Sequence, residues 1–148
     1  MSKCVILCVD DEQMVLKSLK SQLIHEFANQ YHIEMAEGGE EALELMDELS
    51  ADDYTTLVII SDWLMPEMKG DEFLIKAHKK FPQVLTLMLT GQADQEAIER
   101  TRNEAQLYKL INKPWDASEL VDAIKSGLAH KHVDPSVCYA ASRVARNA

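Results

Sequence analysis

LVIISDWLMPEMKG, residues 57–70, is the stretch on which the fold turns. Leu57 to Ile60 form a continuous apolar run, which suits a strand covered on both faces. The run ends on Asp62 with no turn residue before it. A strand that stops in this way sets a carboxylate at the end of a sheet. Pro66 to Gly70 then turn the chain toward the next helical pattern, and Gly70 suits a turn position with positive φ.

Four more apolar runs accompany it: VILCV (5–9), YHIEMA (31–36), VLTLML (84–89) and LYKLI (107–111). Helical spacing fills the gaps between them. Val15, Leu16, Leu19, Leu23 and Phe27 repeat on one face, as do Ala42, Leu45, Met46 and Leu49, and then Phe73, Leu74, Ala77 and Phe81. Residues 93–105 carry a weaker pattern through Ala97, Ile98 and Ala105. Leu120, Val121, Ile124 and Leu128 mark the last helix, where Asp116 and Glu119 resemble a capping box. A polar stretch at 50–56 lengthens the approach to the third strand. Strand and helix alternate five times, which predicts an α/β domain with a parallel sheet and helices on both faces. The domain covers residues 1–130; residues 131–148 fall outside the pattern and read as a C-terminal tail or linker.

The 148 residues suit one domain with a real core, and 47% apolar with 27% charged residues is the balance of a soluble globular protein. No run is long enough to span a membrane. The N-terminus turns acidic too early for a signal peptide, so the chain reads as cytoplasmic. The formal net charge is −10. Residues from Lys131 onward hold Lys131, Arg143 and Arg146 against Asp134, a net +2, which leaves −12 on residues 1–130. Such a field repels nucleic acid and attracts cations or basic partners. Of Cys4, Cys8 and Cys138, none forms a CxxC pair or a zinc-like spacing. Cys4 and Cys8 should share one core face of the first strand.

The strand ends carry the chemistry. The first ends in Asp10-Asp11-Glu12, the third in Asp62, the fourth in Thr90-Gly91 and the fifth in Lys113-Pro114. Singly, each has a plain reading. An acidic pair or a threonine before a helix is often a cap, and a lone lysine is usually solvated. Together they would lie along one edge of a parallel sheet, the edge where ligands bind. Independent capping habits do not supply carboxylates, a hydroxyl and an ammonium at one place. Two carboxylates about 4 Å apart repel by about 4 kcal/mol at an effective dielectric near 20, so a cation belongs among them. Hard oxygen ligands select magnesium. A carboxylate beside it can be a nucleophile that forms an acyl phosphate. The metal, an ammonium and a hydroxyl would hold the transferring phosphoryl oxygens. Asp11, Asp62, Thr90 and Lys113 fill those roles. Gly91 leaves room for the incoming group, and a cis Lys113–Pro114 bond would turn the chain while Lys113 stays aimed inward.

At this point the chain resembles the receiver domains of two-component response regulators. The resemblance covers about residues 3–130 and rests on VDDE (9–12), SDWLMPEMKG (61–70), LTG (89–91) and INKPW (111–115). It implies a flavodoxin-like (βα)5 three-layer sandwich with strand order 2-1-3-4-5. It implies that Asp62 accepts phosphate from the phosphohistidine of a sensor histidine kinase or phosphotransfer protein. It implies magnesium held by Asp11, Asp62 and the Leu64 carbonyl, with Asp10 acting through a metal-bound water. Thr90 and Lys113 would contact the phosphoryl oxygens, and the face of helix four, strand five and helix five would shift to control an output domain or downstream protein. A second copy of the chain is a further candidate partner.

The chain departs from that family pattern at Leu110, where an aromatic switch residue is common; the nearest aromatic is Tyr108, which period-two alternation puts on the same strand face. Lys69 replaces a commonly acidic residue. The 18 residues after His130 are too few for an output domain, so the chain is a single-domain regulator or a fragment. LTGQAD and NKPWD look like receivers of multidomain regulators with cyclic-dinucleotide, phosphatase or kinase outputs. Three readings compete. A haloacid-dehalogenase-type phosphatase needs an acid two residues after its nucleophile, where this chain has Leu64. A flavodoxin-like flavin protein would not place Asp10, Asp11 and Glu12 against a phosphate. A degenerate receiver serving only as a binding module would not need all five functional positions filled.

Overall fold

The computed structural model describes residues 3–28 and 30–131. Five strands form one parallel sheet of order 2-1-3-4-5: β1 (Cys4–Val9), β2 (His32–Ala36), β3 (Thr55–Ser61), β4 (Leu85–Thr90) and β5 (Lys109–Asn112). Helices α1 (Gln13–Phe27), α2 (Gly39–Ala51), α3 (Gly70–Lys80), α4 (Gln95–Ala105) and α5 (Ala117–His130) connect and follow them. This is the predicted flavodoxin-like three-layer sandwich. The tail expected after residue 130 lies outside the described residues, apart from Lys131.

The continuous apolar runs follow from having two covered faces. Ile6 and Cys8 point to the layer of α1 and α5, with Leu19, Leu23, Ile60, Leu87 and Ile124. Leu7 and Val9 point to the opposite layer, with Met46, Ile59, Phe73, Leu74 and Met88. Each side chain of that size, once fully buried, contributes about 1.5–3 kcal/mol. Cys4 and Cys8 share the first layer, as the spacing predicts, and burial pushes the Cys8 thiol up to about 12.

Helix α4 shows why its apolar pattern is weak. It buries only Ala97, Ile98, Thr101 and Ala105, and its ends are held instead. The Asp94 side chain accepts the Ala97 N–H at 2.7 Å, and the Thr86 hydroxyl of β4 donates to the Ala105 carbonyl at 3.1 Å. Gln106 closes the helix in the left-handed region. At α5, Asp116 caps through the Ser118 N–H at 3.1 Å, one position earlier than a capping box places that bond.

Two expectations are corrected. Tyr108 does not share a face with Leu110: Leu110 packs in the layer of α3 and α4, whereas Tyr108 packs in the layer of α1 and α5. Tyr108 precedes the strand, so the pleat does not fix its direction. Its ring lies against Gly127 of α5, and its hydroxyl is 3.0 Å from the Ser126 hydroxyl. Gly70 does not have positive φ. Within the loop, Glu67 takes that conformation (φ 68°). Gly70 is required by close approach, because a Cβ there would lie 2.0 Å from the Asp62 backbone oxygen.

Candidate functional site

The parallel sheet brings the polar strand ends together. The Asp62 N–H donates to the Val9 carbonyl at 2.9 Å, which carries the β1–β3 pairing one residue beyond β3. Asp62 therefore stands beside Asp10. On the other side, the Lys113 N–H donates to the Thr90 carbonyl at 3.3 Å. The Lys113–Pro114 peptide is cis.

The Lys113 ammonium reaches back across the sheet edge. It donates to Asp10 Oδ2 at 2.7 Å and to Asp62 Oδ2 at 3.2 Å. The remaining oxygens are held by backbone. Asp10 Oδ1 accepts the Glu12 N–H at 2.8 Å, and Asp62 Oδ1 accepts the Trp63 N–H at 2.7 Å. Asp10 and Asp62 are buried, while Asp11 is exposed. Ligand oxygens of Asp10, Asp11 and Asp62 lie within 4.8 Å of one another.

This charge arrangement is unbalanced. Burial pushes the Asp10 carboxyl up, and the neighbouring Asp62 adds to that; Lys113 and the Glu12 N–H oppose it without prevailing. Burial alone would lower the Lys113 ammonium, but Asp10 and Asp62 together hold it above its ordinary value. One ammonium faces three carboxylates, so the cluster favours further positive charge. Hard oxygen donors in that number fit magnesium.

Thr90 is buried, and its Oγ accepts the Gln92 N–H at 3.3 Å, which leaves its hydroxyl proton available. A Cβ on Gly91 would meet only Lys113, at 3.9 Å or beyond, so protein packing does not demand glycine there. Leu64 lies on the loop after Asp62 with its side chain 47% exposed, and Leu110 is half-buried under α4. The large groove between α1 and α5, about 540 Å³, contains none of these residues.

Sequence reasoning missed several supporting groups. The buried Ser61 hydroxyl donates to the Asp62 carbonyl at 2.8 Å. The Trp63 indole N–H donates to the buried Asp71 at 3.1 Å, and Asp71 is ion-paired with Arg100. Asp71 sits in the first turn of α3, where an acidic residue reads as ordinary helix-dipole charge, so the sequence carried no signal for these contacts.

A family model for the response regulator receiver domain matches residues 6–125. The chain is similar to the hydrogenase transcriptional regulatory protein HoxA of Cupriavidus necator, at 29% identity over 85% of this chain and 24% of that protein. It is similar to the uncharacterised transcriptional regulatory protein YhcZ of Bacillus subtilis, at 34% identity over 78% of this chain and 51% of that protein. The chain thus spans about a quarter to a half of the length of these two curated relatives. Among solved structures it is similar to a CheY-like receiver domain protein from Methanospirillum hungatei, with 31% identity, TM-score 0.76 and coverage of 86% and 95%. It also resembles the signal receiver domain of an HD domain-containing protein from Pseudomonas fluorescens, with 29% identity, TM-score 0.75 and coverage of 89% and 91%.

Proposed function

The chain belongs to the response regulator receiver domain family of two-component signalling, and from that premise we propose that Asp62 is its phosphoacceptor. The observation that carries the reading is the Lys113 ammonium spanning Asp10 and Asp62 at 2.7 and 3.2 Å, beside Thr90. In the transfer, an Asp62 carboxylate oxygen attacks the phosphorus of a kinase or phosphotransfer-protein phosphohistidine. The P–O bond forms, the P–N bond breaks, and the electron pair leaves on the imidazole nitrogen. Water later attacks the same phosphorus and returns Asp62 with release of inorganic phosphate.

Asp11, Asp62 and the Leu64 carbonyl would hold magnesium, with Asp10 contributing through water. When bound, the metal supplies charge that offsets the phosphoryl oxygens. The residues of the chain do the rest. Asp62 presents the nucleophile, with its orientation fixed by the Trp63 N–H. Lys113 gives up its contact with Asp62 for a phosphoryl oxygen, and the Thr90 hydroxyl donates to another. Gly91 keeps that space clear, and the exposed Leu64 side chain screens the phosphoryl group from water.

The charged state then alters the face of α4, β5 and α5, which reports to an output domain or downstream protein. The sensor kinase, the output and a homodimer are proposed partners, and the cytoplasm is the proposed location. No helix among the described residues is long and apolar enough to cross a membrane. Leu64 cannot protonate a leaving group, so the phosphatase reading lacks its second acid.

Intact-mass measurement with a small phosphodonor and magnesium tests the proposal. Wild type should gain one phosphoryl group and Asp62→Asn none. An unmodified wild type would sink it.

A further inference from the structure

Helix α4 is tied to the loop after Asp62 through a buried carboxylate. Asp71, in the first turn of α3, is 2% exposed. Its Oδ1 accepts the Trp63 indole N–H at 3.1 Å, and its Oδ2 is ion-paired with the Arg100 guanidinium of α4. Trp63 follows Asp62 directly, and its backbone N–H donates to Asp62 Oδ1 at 2.7 Å. Polar contacts therefore run unbroken from Asp62 through Trp63 and Asp71 to Arg100.

The start of this path has little slack. The Gly70 N–H donates to the Trp63 carbonyl at 2.7 Å. Gly70 itself lies so near the Asp62 backbone that no side chain fits between them. The Trp63 ring is buried, with the Lys69 ammonium 4.9 Å from its centroid. A displacement of residues 62–63 cannot be absorbed locally, so it reaches Asp71. The far end is accessible, because Arg100 is 55% exposed even though its guanidinium meets a buried partner.

The alternative route through β5 lacks its parts. Leu110 has no polar group to answer Thr90, and the Tyr108 ring lies in the opposite layer. Resting on the reading of Asp62 as phosphoacceptor, we propose that this chain couples Asp62 to α4 through Asp71 and Arg100, with the buried carboxylate as the joint. Phosphorylation turns the Asp62 carboxylate into an acyl phosphate and moves negative charge from the carboxyl oxygens onto the phosphoryl group, which weakens the carboxyl's hold on the Trp63 N–H. The indole then shifts against Asp71, and a buried carboxylate that loses one partner must lean on the other. Arg100 and α4 move with it. Linkage makes the coupling reciprocal, so a partner that draws Arg100 outward changes how readily Asp62 holds phosphate.

Hydrogen-exchange mass spectrometry on residues 95–105, with and without a small acyl-phosphate donor plus magnesium, tests this. Intact mass on the same samples scores the phosphoryl group. Wild type should take up one group and change its α4 exchange. Arg100→Ala and Asp71→Asn should take up the group, with an α4 change about fivefold smaller or less. Arg100→Lys should keep part of the change. Arg100→Ala alters a side chain already half in solvent, so it carries the test even if Asp71→Asn fails to fold. A wild-type-sized α4 change in phosphorylated Arg100→Ala overturns the coupling, as does a phosphorylated wild type with unchanged α4. An Arg100→Ala variant that takes up no group while wild type does overturns it too, since the pair would then belong to the transfer site. No adduct on wild type overturns the phosphoacceptor reading and the coupling with it.

Discussion

Lys113 and Asp62 are 51 residues apart in the chain, and their charged atoms are 3.2 Å apart in the fold. The contact exists because β3 and β5 flank β4 and end at the same edge. Lys113 is the positive charge that the described structure sets against the buried Asp10 and Asp62. Lys113→Ala should therefore lower metal-free stability by about 1–3 kcal/mol, the cost of leaving buried charge without its partner. Magnesium should restore more stability to this variant than to wild type. The variant should keep metal binding and lose the conformational response to phosphate. Urea titrations with and without magnesium check the first part. A phosphorylated variant with the wild-type response at α4, β5 and α5 would contradict the role given to Lys113.

The excess of carboxylates should make magnesium a stabiliser. At a concentration of about 100 times its Kd, the ion should add about 2.7 kcal/mol to unfolding. Asp11 is exposed, so Asp11→Ala should leave metal-free stability within about 0.5 kcal/mol of wild type. It should nevertheless remove most of the magnesium effect. Thermal melts of both proteins across a magnesium series measure this, and an equal rise in Tm for both would exclude Asp11 as a ligand.

Gly70 and Gly91 should answer alanine in opposite ways. A Cβ at Gly70 meets the Asp62 backbone oxygen at 2.0 Å and Trp63 Cα at 2.8 Å. Backbone cannot swing aside as a side chain can, so Gly70→Ala should cost about 1–3 kcal/mol or more and displace Asp62. A Cβ at Gly91 makes only ordinary contact with Lys113. Gly91→Ala should fold with near wild-type stability and accept phosphate more slowly. Equal stability of the two variants would refute the close-approach account of Gly70.

His78 gives the fold a pH dependence. Its Nδ1 is buried with no hydrogen-bond partner among the described residues. Burial, aided by the Lys131 charge, lowers its pKa from the ordinary 6.5. The folded state thus resists a proton that the unfolded state accepts. Above pH 6.5 both forms are neutral and the group adds no slope. As pH falls from 6.5 toward the lowered folded value, stability should fall. His78→Gln should flatten that part of the profile. Urea midpoints at about pH 7.5 and about pH 5.5 decide it; an unchanged slope in the variant would assign the effect elsewhere.

Much of this was legible in order along the chain. Apolar runs of strand length, helical spacing between them and polar residues at the strand ends are local patterns. They report burial on two faces and the position of Asp10, Asp62, Thr90 and Lys113 at one edge. The face of Tyr108 was not legible, because alternation holds only inside a strand and Tyr108 lies before β5 begins. Gly70 was read as a turn glycine because sequence shows where small residues fall, not what approaches them. The 62–70 loop folds back on Asp62, and only that closure reveals the reason for glycine.

The sequence by itself determined the element order, the doubly covered sheet and the polar residues that meet at the strand ends, because periodicity and strand ends are encoded within short windows. Tertiary structure alone decided that Asp71 of α3 meets both Trp63 and Arg100. That contact depends on how α3 and α4 pack against the same sheet face, and no local pattern carries the distance between two helices. It also decided that Leu110 and Tyr108 look to opposite layers, which leaves Asp71 as the link between Asp62 and α4.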